Sequence, residues 1–160
     1  MFDSTKLMST SDDFVTLRES NSYFVDKTMM IKKEFTRSAF SKIITRPKGF
    51  GKTPFLTMLQ AFFDVDVNNP GNTERQQRLF AGTKILEDKE FCQKYMWQYP
   101  CIYFPFKDVK GRTYDEAYKS LAEVVCKSAQ NFVYLLNSPK LDQQDKMIFR
   151  RYLDLEFLMD

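Results

Sequence analysis

Gly51-Lys52-Thr53 carries the chemistry most readily read from this sequence. A glycine lets backbone N–H groups turn inward around an anion, a lysine ammonium reaches terminal phosphates, and a threonine hydroxyl can ligate Mg²⁺. A phosphate loop asks for Gly, four residues, then Gly-Lys-Ser/Thr, and counting back from Gly51 puts Arg46 where the first glycine belongs. A side chain there must point away from the phosphates or lend them its charge. Gly49 adds backbone freedom inside the loop. Arg46, Gly49, Gly51, Lys52 and Thr53 are therefore the candidate nucleotide-binding residues, with Thr53 also the candidate metal ligand. The plainer reading of the same residues is an ordinary turn with a solvated lysine.

Such a loop works only if rigid elements hold both its ends. Before it, the β-branched pair Ile43-Ile44 runs into Thr45 and predicts a strand. After it, Phe55, Leu56, Met58, Leu59, Phe62 and Phe63 recur at spacings of three and four, which predicts a helix buried against a sheet. Pro54 is tolerated in a first helical turn, where its missing N–H has no intrahelical acceptor, although one donor near the anion is lost.

The rest of the chain reads mainly as helices. Met1 to Asp13 is polar and aperiodic, a loose lead-in, followed by the apolar cluster Phe14, Val15 and Leu17 and a turn at Asn21-Ser22. Asp26 reads as the N-cap of a helix carrying Met29, Met30, Ile31 and Phe35 and running to Arg37 or Ser38. An adenine-edge role for Asp26-Lys27-Thr28 is the sharper alternative to that capped surface helix. Asp64 to Asn72 is a loop, Leu79 to Gly82 closes a short helix, and Phe91 to Trp97 has helical spacing. Pro100 to Phe106 has the length and composition of a strand, with Pro105 placing it at an edge or a bend. A long amphipathic helix is predicted from Tyr114 to Leu136, broken at Asn137-Ser138-Pro139. A last one begins at Asp142, where Ile148, Tyr152, Leu155 and Leu158 form a stripe that needs a partner. The expected fold class is α/β, a partial P-loop NTPase-like domain with few strands and several packing helices, spanning residues 1–160 as a single domain.

Composition excludes several classes. With 160 residues, 43% of them hydrophobic, the chain can build a core. It has no apolar run of membrane-spanning length and no signal-like N-terminus, so a cytoplasmic location is expected. It has no histidine, which removes any imidazole base, and its three cysteines (Cys92, Cys101 and Cys126) lie too far apart for the usual zinc spacings. A formal charge of +3 argues against a direct nucleic-acid track.

Phe14 to Thr28 (FVTLRESNSYFVDKT), Ile44 to Thr53 (ITRPKGFGKT) and Met58 to Asp64 (MLQAFFD) resemble the start of a bacterial AAA-ATPase-like family often joined to a PD-(D/E)XK nuclease-like domain. That family's loop also begins with Arg-Pro, which Arg46 and Pro47 match, and the likeness continues through Tyr99 to Lys110 and around Tyr114 to Leu141. The resemblance implies a nucleotide partner, with ATP and Mg²⁺ as cofactors. In the resembled family the acidic, metal-holding strand comes later than the end of this chain. Here Asp108 is displaced by Lys107, and Asp64 and Asp66 follow the far end of the helix. The expectation is an ATP-binding module with a variant loop and no turnover of its own. A second expectation comes from another class, a non-enzymatic decoy or inhibitor that binds a protein through its C-terminal helices, such as a phage or mobile-element protein opposing a bacterial immune nuclease.

Overall fold

Asp13 starts the first helix: its Oδ2 accepts from the backbone N–H and the hydroxyl of Thr16, satisfying one of the donors that a helix start leaves open. The structure is a computed structural model and describes residues 11–20, 22–37, 41–66 and 73–159. The described residues group into two compact units, one up to Cys101 and one from Ile102.

In the first unit, α1 (Phe14–Glu19), α2 (Met29–Phe35), α3 (Lys52–Phe63), α4 (Glu74–Phe80) and α5 (Lys89–Tyr95) enclose a core rich in phenylalanine. Phe14, Phe62 and Phe80 are fully buried, with ring centroids 5.1 Å apart for Phe14 and Phe80 and 5.6 Å for Phe62 and Phe80. Aromatic pairs at these separations add to the gain from burial alone. α3 supplies Phe55, Met58, Phe62 and Phe63 to this core, while Leu56 of the same apolar run stays exposed. Its last carbonyls are satisfied from outside the helix: Phe62 O accepts from Trp97 N and Phe63 O from Tyr99 N.

The second unit consists of a 3₁₀ turn (Phe106–Asp108), α6 (Tyr114–Gln130), a 3₁₀ turn (Val133–Asn137), α7 (Gln143–Tyr152) and α8 (Leu155–Met159). Thr113 caps α6 by accepting from Glu116 N, and Asp142 caps α7 by accepting from Asp145 N. The long helix expected to reach Leu136 ends at Gln130 and tightens into the 3₁₀ turn. The expected C-terminal stripe is only partly covered: Leu155 and Leu158 are half-buried, whereas Ile148 and Tyr152 are exposed.

The expected α/β class, a partial P-loop NTPase-like sheet, is overturned. Among the described residues the secondary structure is helical, and strand pairing is limited to one isolated parallel bridge between Asp64 and Tyr99. Ile43 and Ile44 join no ladder, and Ile43 is 88% exposed. In the run from Pro100 to Phe106, both prolines lack a ladder donor, and Phe106 N turns back to Phe104 O to begin a 3₁₀ turn. β-Branched and aromatic residues favour extended backbone, but a strand exists only by hydrogen bonding to a neighbour. α3 accordingly packs on α1 rather than on a sheet.

The helix expected from Asp26 to Arg37 or Ser38 is shorter, Met29–Phe35, with Thr28 at the cap position. Ser38 lies outside the described residues, as do the turn residue Asn21, the loop residues Asn68 to Asn72 and the lead-in up to residue 10. No described helix is long and apolar enough to cross a membrane.

Candidate functional site

The five loop residues chosen from the sequence lie together in one turn that feeds α3. Phe50 N donates to Pro47 O across a four-residue turn whose third residue, Gly49, has φ of +84°. A left-handed residue at that position is what a type II turn demands, and glycine occupies it without strain. Gly51, at φ +74°, then caps α3. Lys52 reverses over the loop, and its Nζ donates to Arg46 O at 2.6 Å and Pro47 O at 2.9 Å, closing the loop on itself. Arg46 therefore contributes its carbonyl here, while its guanidinium turns back to donate to Thr45 O at 2.7 Å. This resolves how a side chain is tolerated where a phosphate loop has glycine. Among the described residues the N–H groups of Gly51, Lys52 and Thr53 have no protein acceptor, as expected at the open start of a helix.

The loop is strongly cationic. From Phe35 to Phe63 the sequence carries Arg37, Lys42, Arg46, Lys48 and Lys52 and no acidic residue. That run of basic residues coincides with the open N–H groups and the positive end of the helix dipole at the start of α3.

Beside the loop lies a cavity of about 150 Å³, lined mainly by apolar residues of α1, the segment before α2 and the first turns of α3; Tyr23, Val25, Lys27, Gly51 and Pro54 are among them. An apolar cavity of that size admits a single benzene-sized ring. The segment from Tyr23 to Thr28 forms one wall, and its side chains alternate. Phe24, Asp26 and Thr28 turn inward, whereas Tyr23, Val25 and Lys27 are exposed. The inward residues fix the segment. Asp26 Oδ1 accepts from Thr28 N and Thr28 Oγ1, Asp26 Oδ2 accepts from Lys84 N, and the fully buried Thr28 Oγ1 accepts from Ile85 N. Burial tends to raise the Asp26 pKa, but the hydrogen bonds from Thr28 and the Lys84 backbone outweigh it and hold the carboxyl below its ordinary value. Asp26 is thus a latch to the turn Lys84–Glu87 rather than the helix cap expected from the sequence.

The acidic residues of this unit nearest the helix are directed elsewhere. Asp64 caps the opposite end of α3, where its Oδ1 accepts from Cys101 N at 2.9 Å. Burial pushes Asp64 up, only partly offset by the N–H groups of Cys101 and Val65, and the neighbouring Asp66 charge pushes the same way. Burial and then the Asp64 charge drive the Cys101 thiol up to about 11. No group of three or more His, Cys, Asp or Glu among the described residues is arranged to hold a metal ion. Thr53 keeps its place in the first turn of α3, the right chemistry for one hydroxyl ligand, and its carbonyl accepts from Thr57 Oγ1.

No curated protein and no solved structure matches the chain. The family described as a predicted AAA-ATPase matches it over residues 10–154, a span that contains the loop, the pocket wall and all of α1 to α7. That description is consistent with nucleotide binding, and a match of this extent decides the matter of kinship: the chain belongs to the AAA-ATPase-like family.

Proposed function

We propose that this chain binds ATP at residues 46–53 and holds it without turning it over. The observation that carries the reading is the closed loop, in which Lys52 Nζ bridges the Arg46 and Pro47 carbonyls beside two left-handed glycines. In this reading the N–H groups of Gly51, Lys52 and Thr53 receive the phosphate oxygens, and Gly49 and Gly51 let the backbone approach them. Lys52 adds its charge, Arg46 supports Lys52 through its carbonyl, and the apolar cavity between Tyr23 and Pro54 takes one ring of the base, the other lying at its mouth. The Thr53 hydroxyl is the residue that would ligate Mg²⁺, which when bound neutralises charge on the terminal phosphates.

Turnover asks for more than binding. A carboxylate must hold the metal and another group must orient water. Asp64 and Asp66 lie past the far end of the 12-residue α3, roughly 16 Å along its axis from the loop at 1.5 Å per residue. Calorimetric titration with ATP and Mg²⁺ tests the binding. Lys52→Ala should weaken it at least tenfold, since a charge-assisted hydrogen bond contributes about 1.5 to 3 kcal/mol, with melting of the free protein almost unchanged. Phosphate release should stay at background. Equal affinity in Lys52→Ala would remove the loop from the site, and robust release that Lys52→Ala abolishes would mean that a carboxylate completes it.

A second reading, a non-enzymatic protein-binding role as decoy or inhibitor, is favoured by the exposed aromatic pairs of the second unit. Phe104 stacks on Phe106 and Tyr114 on Tyr118, all four exposed to solvent. Exposed aromatic clusters are characteristic of protein contact surfaces. A chain that fails to bind ATP at any concentration would favour this reading over the first.

A further inference from the structure

The wall of the cavity ends in a lysine that the loop motif does not include. Lys27 lines the same cavity as Gly51, and a Cβ built on Gly51 would stand 3.9 Å from Lys27 Nζ, so the ammonium sits directly over the left-handed turn that starts α3. Its position is not that of a loose surface side chain. The residues on either side, Asp26 and Thr28, are tied inward by two hydrogen bonds between them and two more from Lys84 N and Ile85 N, and the alternating burial along the segment leaves Lys27 outward, beside the loop. The one carboxylate adjacent in sequence, Asp26, is committed to that latch. Among the described residues Lys27 has no ion-pair partner; the ion pairs there join Lys32 to Asp88, Arg37 to Glu34 and Arg75 to Glu19. Lys27 therefore adds a cation to a segment already carrying Arg46, Lys48 and Lys52 without an acid. Like charges gathered without counter-charge repel one another, and a bound anion relieves that repulsion.

We infer that Lys27 is a second phosphate-contacting cation, placed between the base cavity and the loop so that the ligand recognised is a nucleoside polyphosphate rather than a nucleoside. The inference rests on the reading of residues 46–53 as an ATP site. It assigns Lys27 to the phosphates because its ammonium faces Gly51, whose N–H is one of the open donors of the loop, while the apolar residues behind it face the base. A lysine is a point charge on a flexible stem and can follow a phosphate without a fixed fork geometry, so arginine at this position should serve as well.

The test is calorimetric titration of the full chain, wild type and Lys27→Met, Lys27→Arg and Lys52→Ala, with MgATP, and of wild type and Lys27→Met with adenosine. Lys27→Met should lose at least tenfold in affinity for ATP, keep its affinity for adenosine and melt at the wild-type temperature, and Lys27→Arg should recover most of the loss. The ATP deficit of Lys27→Met should also shrink as salt is raised, because a screened charge matters less. If Lys27→Met binds ATP as tightly as wild type while Lys52→Ala does not, this inference falls and the loop reading stands. If ATP and adenosine affinity fall together, Lys27 shapes the pocket rather than contacting phosphate, and the inference falls again. A wild-type chain that binds no ATP overturns both.

Discussion

Asp26 shows how a motif of three residues divides its labour. Its carboxylate and the hydroxyl of Thr28 face the interior and hold the turn at Lys84 and Ile85, which leaves Lys27 between them facing the loop. The carboxyl titrates lower in the folded chain than its ordinary value of 3.8. The stability it contributes is therefore complete above that pH and is lost as pH falls through the folded pKa. Asp26→Asn should lower stability near neutral pH by about 1 to 2 kcal/mol, toward the lower end for hydrogen bonds to charged groups because the site is partly exposed. It should also flatten the acid side of the stability profile. Urea melts of both proteins between about pH 3 and 7 check it, and parallel profiles would mean that the latch does not hold the segment.

At the scale of elements, α1 and α3 are joined by one buried hydrogen bond as well as by packing. Phe14 N, at the open start of α1, donates to Thr57 Oγ1 on α3 at 2.9 Å, and that hydroxyl in turn donates to Thr53 O. Thr57→Val keeps the shape and leaves the Phe14 N–H buried without an acceptor, which costs about 1 to 3 kcal/mol. The expected outcome is a lower melting temperature for Thr57→Val with Thr57→Ser close to wild type. Equal melting of all three would show that Phe14 N finds water instead. The longer helices were legible because their signals are local, whereas α1 showed only as the apolar cluster Phe14, Val15 and Leu17. Apolar three-four spacing marked α3 and α6, and Asp142 and the acidic first turn of α6 marked two starts. The strands were not, because Ile43-Ile44 and the run from Pro100 to Phe106 meet only the local half of what a strand requires; the other half is a hydrogen-bonded neighbour, and no residue in the run itself encodes that.

At the scale of the whole molecule, the described residues of this AAA-ATPase-like chain form helices in two compact units, and the first of them carries the Gly51-Lys52-Thr53 loop without the sheet expected before it. The loop could be read from the sequence because glycine, lysine and threonine at fixed offsets are a local pattern. That Arg46 contributes its carbonyl and not its charge could not, since a side chain's direction depends on what Thr45 and Lys52 offer it. The cavity beside the loop joins α1, the segment from Tyr23 to Lys27 and α3, three stretches distant in sequence, so no single stretch announces it.

The claim that these pieces form one ATP site is tested most directly by following the backbone amide resonances while MgATP is added. The largest shifts should fall on Gly49, Phe50, Gly51, Lys52 and Thr53 together with Tyr23 to Lys27, they should saturate along one binding curve, and Lys52→Ala should abolish them at the same ATP concentration. Shifts confined to the second unit, or a spectrum that ATP leaves unchanged, would contradict it.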